Sequence, residues 1–199
     1  MDDWEQVKSL APETKKMEKL IQGYSYATKQ LAVITDENVC QNIVKGIRQA
    51  KVSLFNVIEL LFEIEKEEPL SKSIQILKDE LDIFSDEVKA RYCDWKEQNT
   101  KWMIRLIKHD HEIVSGIASL NIILQNMYEE LLRGRSLLSE NELEQGRLWA
   151  KLKKQLPEIE ERVDKLVTLF KEREGICNLK PMSLEKTFKS IQEKISKQI

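Results

Sequence analysis

Residues 102–133 read WMIRLIKHDHEIVSGIASLNIILQNMYEELLR, and within them Trp102, Leu106, His109, Ile113, Ile117, Leu120, Leu124, Met127 and Leu131 recur at steps of three and four. An α-helix turns once in about 3.6 residues, so this spacing keeps every one of those side chains on a single face. The same alternation is already running upstream, through Ile74, Leu77, Leu81, Phe84 and Val88, and continues weakened to Trp95. With no Pro between residues 70 and 133, the pattern predicts one very long helix, or two nearly coaxial ones, ending near Gly134.

Downstream, Ser139 and Glu142 have the spacing of a capping box, in which each side chain satisfies a free backbone amide at the start of a helix. Trp149, Leu152, Leu156, Ile159, Val163, Leu166 and Phe170 then keep a heptad stripe that predicts a helix antiparallel to the preceding one. Pro157 removes a backbone donor and is expected to kink it. Beyond Gly175 and Pro181, Leu184, Phe188, Ile191 and Ile195 predict a last amphipathic helix starting near Ser183.

Before residue 70 the pattern is looser. Met17, Leu20, Ile21, Tyr24, Ala27, Leu31 and Ile34 predict a helix after Pro12, and Thr35-Asp36-Glu37-Asn38 reads as a turn or N-cap cluster. A second helix carries Ile43, Ile47, Leu54, Ile58 and Leu61 and stops at Glu65-Lys66-Glu67-Glu68-Pro69, giving an antiparallel pair. The expected fold is all-α: a long antiparallel hairpin of four-helix-bundle type over residues 70–175, an additional N-terminal helical pair over 1–69, and a C-terminal amphipathic helix over 176–199.

Composition agrees with helices. Charged residues make up 33% and hydrophobic residues 41% of the 199, with only 6 Gly and 4 Pro, which disfavours disorder and turn-rich β folds. A net charge of −2 gives no general attraction to nucleic acid or anionic lipid, so neither partner is expected. The first hundred residues carry 14 basic and 19 acidic side chains and the rest 18 and 15, a mild asymmetry best read as solvated helix faces. Cys40, Cys93 and Cys177 are scattered and read as reduced structural thiols. The N-terminus has no basic flank and apolar run, and no stretch has 18 uncharged apolar residues, so a cytoplasmic chain is expected.

Several chemistries lack their residues. No glycine cluster forms a phosphate-cradling loop, and two histidines without a carboxylate-x-x-His pair cannot furnish a bundle di-iron centre. No metal and no cofactor are expected. What remains is the pair of histidines. His109 falls on the apolar stripe between Leu106 and Ile113 and reads as a core residue, whereas His111 lies about 200° further round the helix and points away from it. An accessible imidazole flanked by Asp110 and Glu112 has the elements of a nucleophile, because a neighbouring carboxylate can hold the ring tautomer or take its proton.

The run from His111 to Leu120, HEIVSGIASL, resembles the H-box of sensor histidine kinases. In that family a phospho-accepting His is followed by Glu or Asp and by apolar residues two, six and nine positions on, here Ile113, Ile117 and Leu120. The segment from Glu174 to Leu184 is similar to the passage in which such kinases leave the dimerisation and phosphotransfer hairpin. The sequence departs from the family at Val114, where a basic residue is usual, at Gly116, where Pro is usual, and in having none of the nucleotide-binding boxes. The resemblance, which covers about residues 100–199, implies a two-component or phosphorelay protein that dimerises through its hairpin and cannot phosphorylate itself from ATP, in one of three forms: a phosphotransferase that relays a phosphoryl group between response regulators, a degenerate kinase that binds or sequesters a protein partner, or a truncated kinase. It assigns His111 as phospho-acceptor, Glu112 as the group that orients or deprotonates the ring, and Ser115 as a polar residue one turn on that assists a phosphatase water. The alternative is a non-catalytic helical-bundle scaffold or adaptor, in which both histidines are incidental and the long stripes serve protein binding.

Overall fold

The computed structural model describes residues 3–64, 69–91, 99–137 and 142–177, and all of its regular structure is helical. Six helices follow one another: α1 (Asp3–Leu10), α2 (Glu13–Leu20), α3 (Lys29–Ile64), α4 (Pro69–Lys89), α5 (Thr100–Leu137) and α6 (Glu142–Ile176). Of the expected capping box only Glu142, where α6 starts, is among the described residues, and its residues 139–141 and the C-terminal helix expected beyond Pro181 lie outside them.

The four long helices form a bundle. α3 packs on α4 and α5, and α6 packs on α5 and α4, so α3 and α6 occupy one diagonal and α4 and α5 the other. Side-chain pairs fix the directions. Asp110–Arg173, Ser119–Arg162 and Glu130–Lys151 run antiparallel between α5 and α6. Asp36–Arg91 and Lys51–Asp82 do the same between α3 and the α4 end. Gly46 meets Ile117 and Asn121, ten residues beyond the level at which Asp36 and Asp110 share Arg173, so α3 and α5 are parallel. The short helices α1 and α2 lie on α5, burying Trp4, Val7, Ala11 and Met17 in the common core.

The expected all-α bundle with a long hairpin is therefore what the chain forms, with α5 and α6 as that hairpin. Three local expectations are corrected. Residues 70–133 are not one helix or two coaxial ones: α4 and α5 run in opposite directions on diagonal corners, separated where the heptad pattern weakens. The predicted helix through residues 17–34 is interrupted, because α2 stops at Leu20, Ile21 is extended and Gly23 takes φ +71, a region in which only a residue without Cβ is unstrained. Tyr24 and Tyr26 then both turn inward with the half-buried Ser25 between them, a period of two rather than 3.6. Finally, Thr35 to Asn38 do not form a turn but lie inside α3. Thr35 is fully buried, and its Oγ1 accepts from the Ser25 amide at 2.9 Å and donates to the Ser25 carbonyl at 2.8 Å, tying the Tyr24–Tyr26 segment to the helix.

Two glycines set the interhelical spacing. A Cβ on Gly46 would overlap Cγ2 of Ile117, and one on Gly116 would come within 2.7 Å of Cδ2 of Leu166. Gly46 thus lets α3 approach α5, and Asn121 closes the contact by donating from Nδ2 to the Gly46 carbonyl at 3.0 Å. Gly116, at the position where the resembled family bends its helix with Pro, here admits α6.

Candidate functional site

α5 carries both histidines, and the three residues His109, Asp110 and His111 point in three directions. Asp110, not His109, continues the buried stripe: Met103, Leu106, Asp110, Ile113, Ile117, Leu120 and Leu124 all have 4% exposure or less. His109 sits at the α5–α6 seam with its side chain 20% exposed, so its expected place in the core is corrected to the core's edge. Its Nδ1 is 3.0 Å from the Arg105 carbonyl and its Nε2 3.3 Å from Oε2 of Glu172. Both ring nitrogens face acceptor oxygens, which holds the ring in place against the seam.

His111 is half-buried, and its Nε2 lies 3.3 Å from Oγ of the exposed Ser115, one helical turn on. No hydrogen-bond partner meets Nδ1 among the described residues. When the Ser115 hydroxyl donates, Nε2 keeps its lone pair and the ring proton resides on Nδ1. Glu112 is exposed, and no hydrogen bond or ion pair among the described residues joins it to His111. Of the carboxylates flanking the ring in sequence, Asp110 is turned wholly into the core and Glu112 outward. The structure brings His111 and Ser115 together and leaves Glu112 beside them without contact.

The larger polar constellation lies behind the histidines, where α3 and α5 begin and α4 and α6 end. Arg173 of α6, with no solvent exposure, pairs through Nε with Oδ1 of Asp110 and through Nη1 with Oδ1 of Asp36 at 2.8 Å. The hydroxyls of Tyr24 and Tyr26 donate to Oδ2 of Asp110 at 2.7 and 2.6 Å. Arg91 reaches the same Asp36 oxygen through Nη2 at 2.8 Å, lies over the Phe170 ring at 5.4 Å and points its guanidinium nitrogens at the sulfurs of Cys40 and Cys177. Two arginines and two aspartates cancel in charge, and both cations stand at helix C-terminal ends, where the backbone dipole favours positive charge.

Burial and pairing shift these groups in consistent directions. Burial, then the neighbouring Asp110 carboxylate, pushes the Tyr24 and Tyr26 phenols well above the usual tyrosine range. Burial opposes the charge on Arg173, but Asp110 and Asp36 outweigh it and hold the guanidinium firmly protonated. Burial raises the Cys40 thiol to about 11 against the opposing pull of Arg173 and Arg91. Cys40 is thus a neutral thiol at ordinary pH, in line with the structural role read from its sequence. The constellation was missed in the sequence, although a signal existed. Asp110 and Arg173 each fall in step with an apolar stripe, after Leu106 and after Phe170, on two helices expected to be antiparallel.

No group of three or more His, Cys, Asp or Glu side chains is arranged to hold a metal ion, and no helix is long and apolar enough to cross a membrane, among the described residues. No family model, characterised protein or solved structure matches the chain.

Proposed function

We propose that this chain is a phosphorelay-type signalling protein that accepts a phosphoryl group on Nε2 of His111. The observation that carries the reading is the division of labour on α5: His109 is tied at both nitrogens, Asp110 is committed to the core, and His111 presents a half-exposed ring whose one hydrogen-bond partner among the described residues is the Ser115 hydroxyl. The H-box resemblance, which starts at His111, supports the same residue.

In the reaction, Ser115 rotates away and the Nε2 lone pair attacks the phosphorus of an aspartyl phosphate on a response-regulator-like partner. The N–P bond forms as the P–O bond to the acyl oxygen breaks, and the partner's aspartate leaves as carboxylate. The proton on Nδ1 keeps the ring in the attacking tautomer, and Glu112, one residue on, is the nearest exposed carboxylate in sequence to receive it. The core of the bundle is completed by α3 and α4 of the same chain, so the working unit we propose is one chain, where the resemblance implies a homodimer.

The test is phosphorus NMR of the full-length chain incubated with phosphoramidate, a small phosphodonor. An N-phosphohistidine resonance absent from His111→Gln supports the reading. A chain that stays unlabelled, or a resonance that persists in the variant, refutes it.

A further inference from the structure

In a chain one third charged, two neighbouring helix faces are depleted of charge in a patterned way. On α5, residues 113–128 contain no charged side chain. On α3, residues 38–58 contain Lys45, Arg48 and Lys51 and no acidic residue. The two helices lie side by side, and between their outer faces runs an open groove of about 570 Å³ lined by Arg48, Val52 and Ser53 of α3 and Asn121, Ile122 and Gln125 of α5. Val52, Phe55 and Ile122 are 55%, 51% and 62% exposed there or on the adjoining turn. Exposed aliphatic and aromatic groups on facing helices, with uncharged amides around them, make a surface that loses little desolvation energy when covered.

The charge pattern selects the occupant. Lys51 is neutralised by Asp82, but Lys45 and Arg48, one turn apart on the outer face, make no ion pair among the described residues. We infer that this groove docks an amphipathic helix of a partner protein that carries an apolar stripe flanked by Asp or Glu. A parallel pair of helices offers a groove along which a third helix lies, with its apolar stripe against Val52 and Ile122 and its acids beside Lys45 and Arg48. A second copy of the chain is disfavoured, because two such faces would oppose positive charge to positive charge. The chain's own residues 178–199 are disfavoured for the same reason, with Lys180, Lys186, Lys189, Lys194 and Lys197 against Glu185 and Glu193. The inference holds whether or not His111 is phosphorylated, and it is the form that the scaffold expectation takes in this fold.

The experiment uses the full-length chain and two fluorescein-labelled synthetic helices of about 18 residues, five turns. Both carry the same leucine stripe, one flanked by Glu and the other by Lys. Fluorescence anisotropy is expected to show the Glu peptide binding at least tenfold more tightly, with the preference shrinking as salt is raised. Arg48→Glu with Lys45→Glu should abolish the preference, and Val52→Glu with Ile122→Glu should abolish binding, with the far-UV circular dichroism of both variants unchanged because all four side chains are exposed. Equal binding of the two peptides, no binding of either, or binding indifferent to Val52→Glu with Ile122→Glu would overturn the inference. So would sedimentation showing a self-association that those substitutions disrupt, or preferential binding to phosphatidylserine vesicles.

Discussion

Asp110 and Arg173, 63 residues apart in sequence and both without solvent exposure, form an ion pair across the α5–α6 seam. Tyr24 and Tyr26 attach to Asp110, and Asp36, with Arg91 behind it, attaches to Arg173. The pair therefore joins the N-terminal segment, α3 and the α4 end to the hairpin. Removing one partner strands a buried charge, which costs about 3–5 kcal/mol. Asp110→Ala and Arg173→Met are each expected to lose that much in urea denaturation, and the double variant to lose clearly less than their sum. Additive losses would show that the two charges are not coupled.

The same centre gives the fold an alkaline limit. Folded-state values raised above the unfolded ones mean that the folded chain holds protons that the unfolded chain releases, so stability falls as pH rises through that interval. For Cys40 the interval runs from 9.0 to about 11, and for Tyr24 and Tyr26 it opens at 10.0. The urea midpoint should be unaffected by these three groups below pH 9 and drop progressively above it. Cys40→Ser should delay the onset, and Tyr24→Phe with Tyr26→Phe should flatten the part above pH 10, at the cost of lower stability at neutral pH. A midpoint that stays flat to pH 11 would contradict the assignment.

Gly46 gives a test of helix spacing. Ala is favoured over Gly in a helix interior by about 1 kcal/mol, yet the added methyl would meet Cγ2 of Ile117, a β-branched side chain with little rotamer freedom in a helix. Overpacking of that kind costs about 1–3 kcal/mol. Gly46→Ala is expected to destabilise net, and in an Ile117→Ala background the same change should turn neutral or stabilising. Destabilisation of equal size in both backgrounds would place the clash elsewhere.

Ser115 offers a kinetic test of the site. It is exposed, so Ser115→Ala should leave the thermal midpoint unchanged within error. On the proposed mechanism, losing the hydroxyl that meets Nε2 removes a bias toward the attacking tautomer, and labelling of His111 by phosphoramidate should slow a few-fold. An unchanged rate would leave Ser115 without a role in that step. His109→Gln, at a ring tied to Arg105 and Glu172, should alter stability and not the labelling.

The sequence made the long helices legible because their apolar stripes are nearly unbroken, and the end of α5 and the start of α6 fall close to the expected Gly134 and the Ser139–Glu142 cap. It misled where a polar residue stood on a stripe. His109 and Asp110 both fit steps of three and four between Leu106 and Ile113, and it is Arg173 and two tyrosine hydroxyls that draw the carboxylate inward. Each of those partners comes from a distant segment, and periodicity along one helix cannot register a neighbour across the bundle. The N-terminal region misled for another reason: Met17, Tyr24, Leu31 and Ile34 keep a helical spacing by chance across a turn at Gly23, while Leu31 and Ile34 prove exposed. His111 and Ser115, by contrast, are i and i+4 on one helix, a relation that spacing alone discloses.

His111 is the proposed acceptor of the phosphoryl group, and transfer from a phosphorylated partner protein is its decisive test. A panel of response-regulator receiver domains, charged on aspartate with radiolabelled phosphate, is mixed with the full-length chain and with its His111→Gln and His109→Gln variants. At least one receiver is expected to pass an acid-labile, base-stable label to the native chain and to His109→Gln but not to His111→Gln. Label retained by His111→Gln, or none accepted from any receiver, contradicts the account.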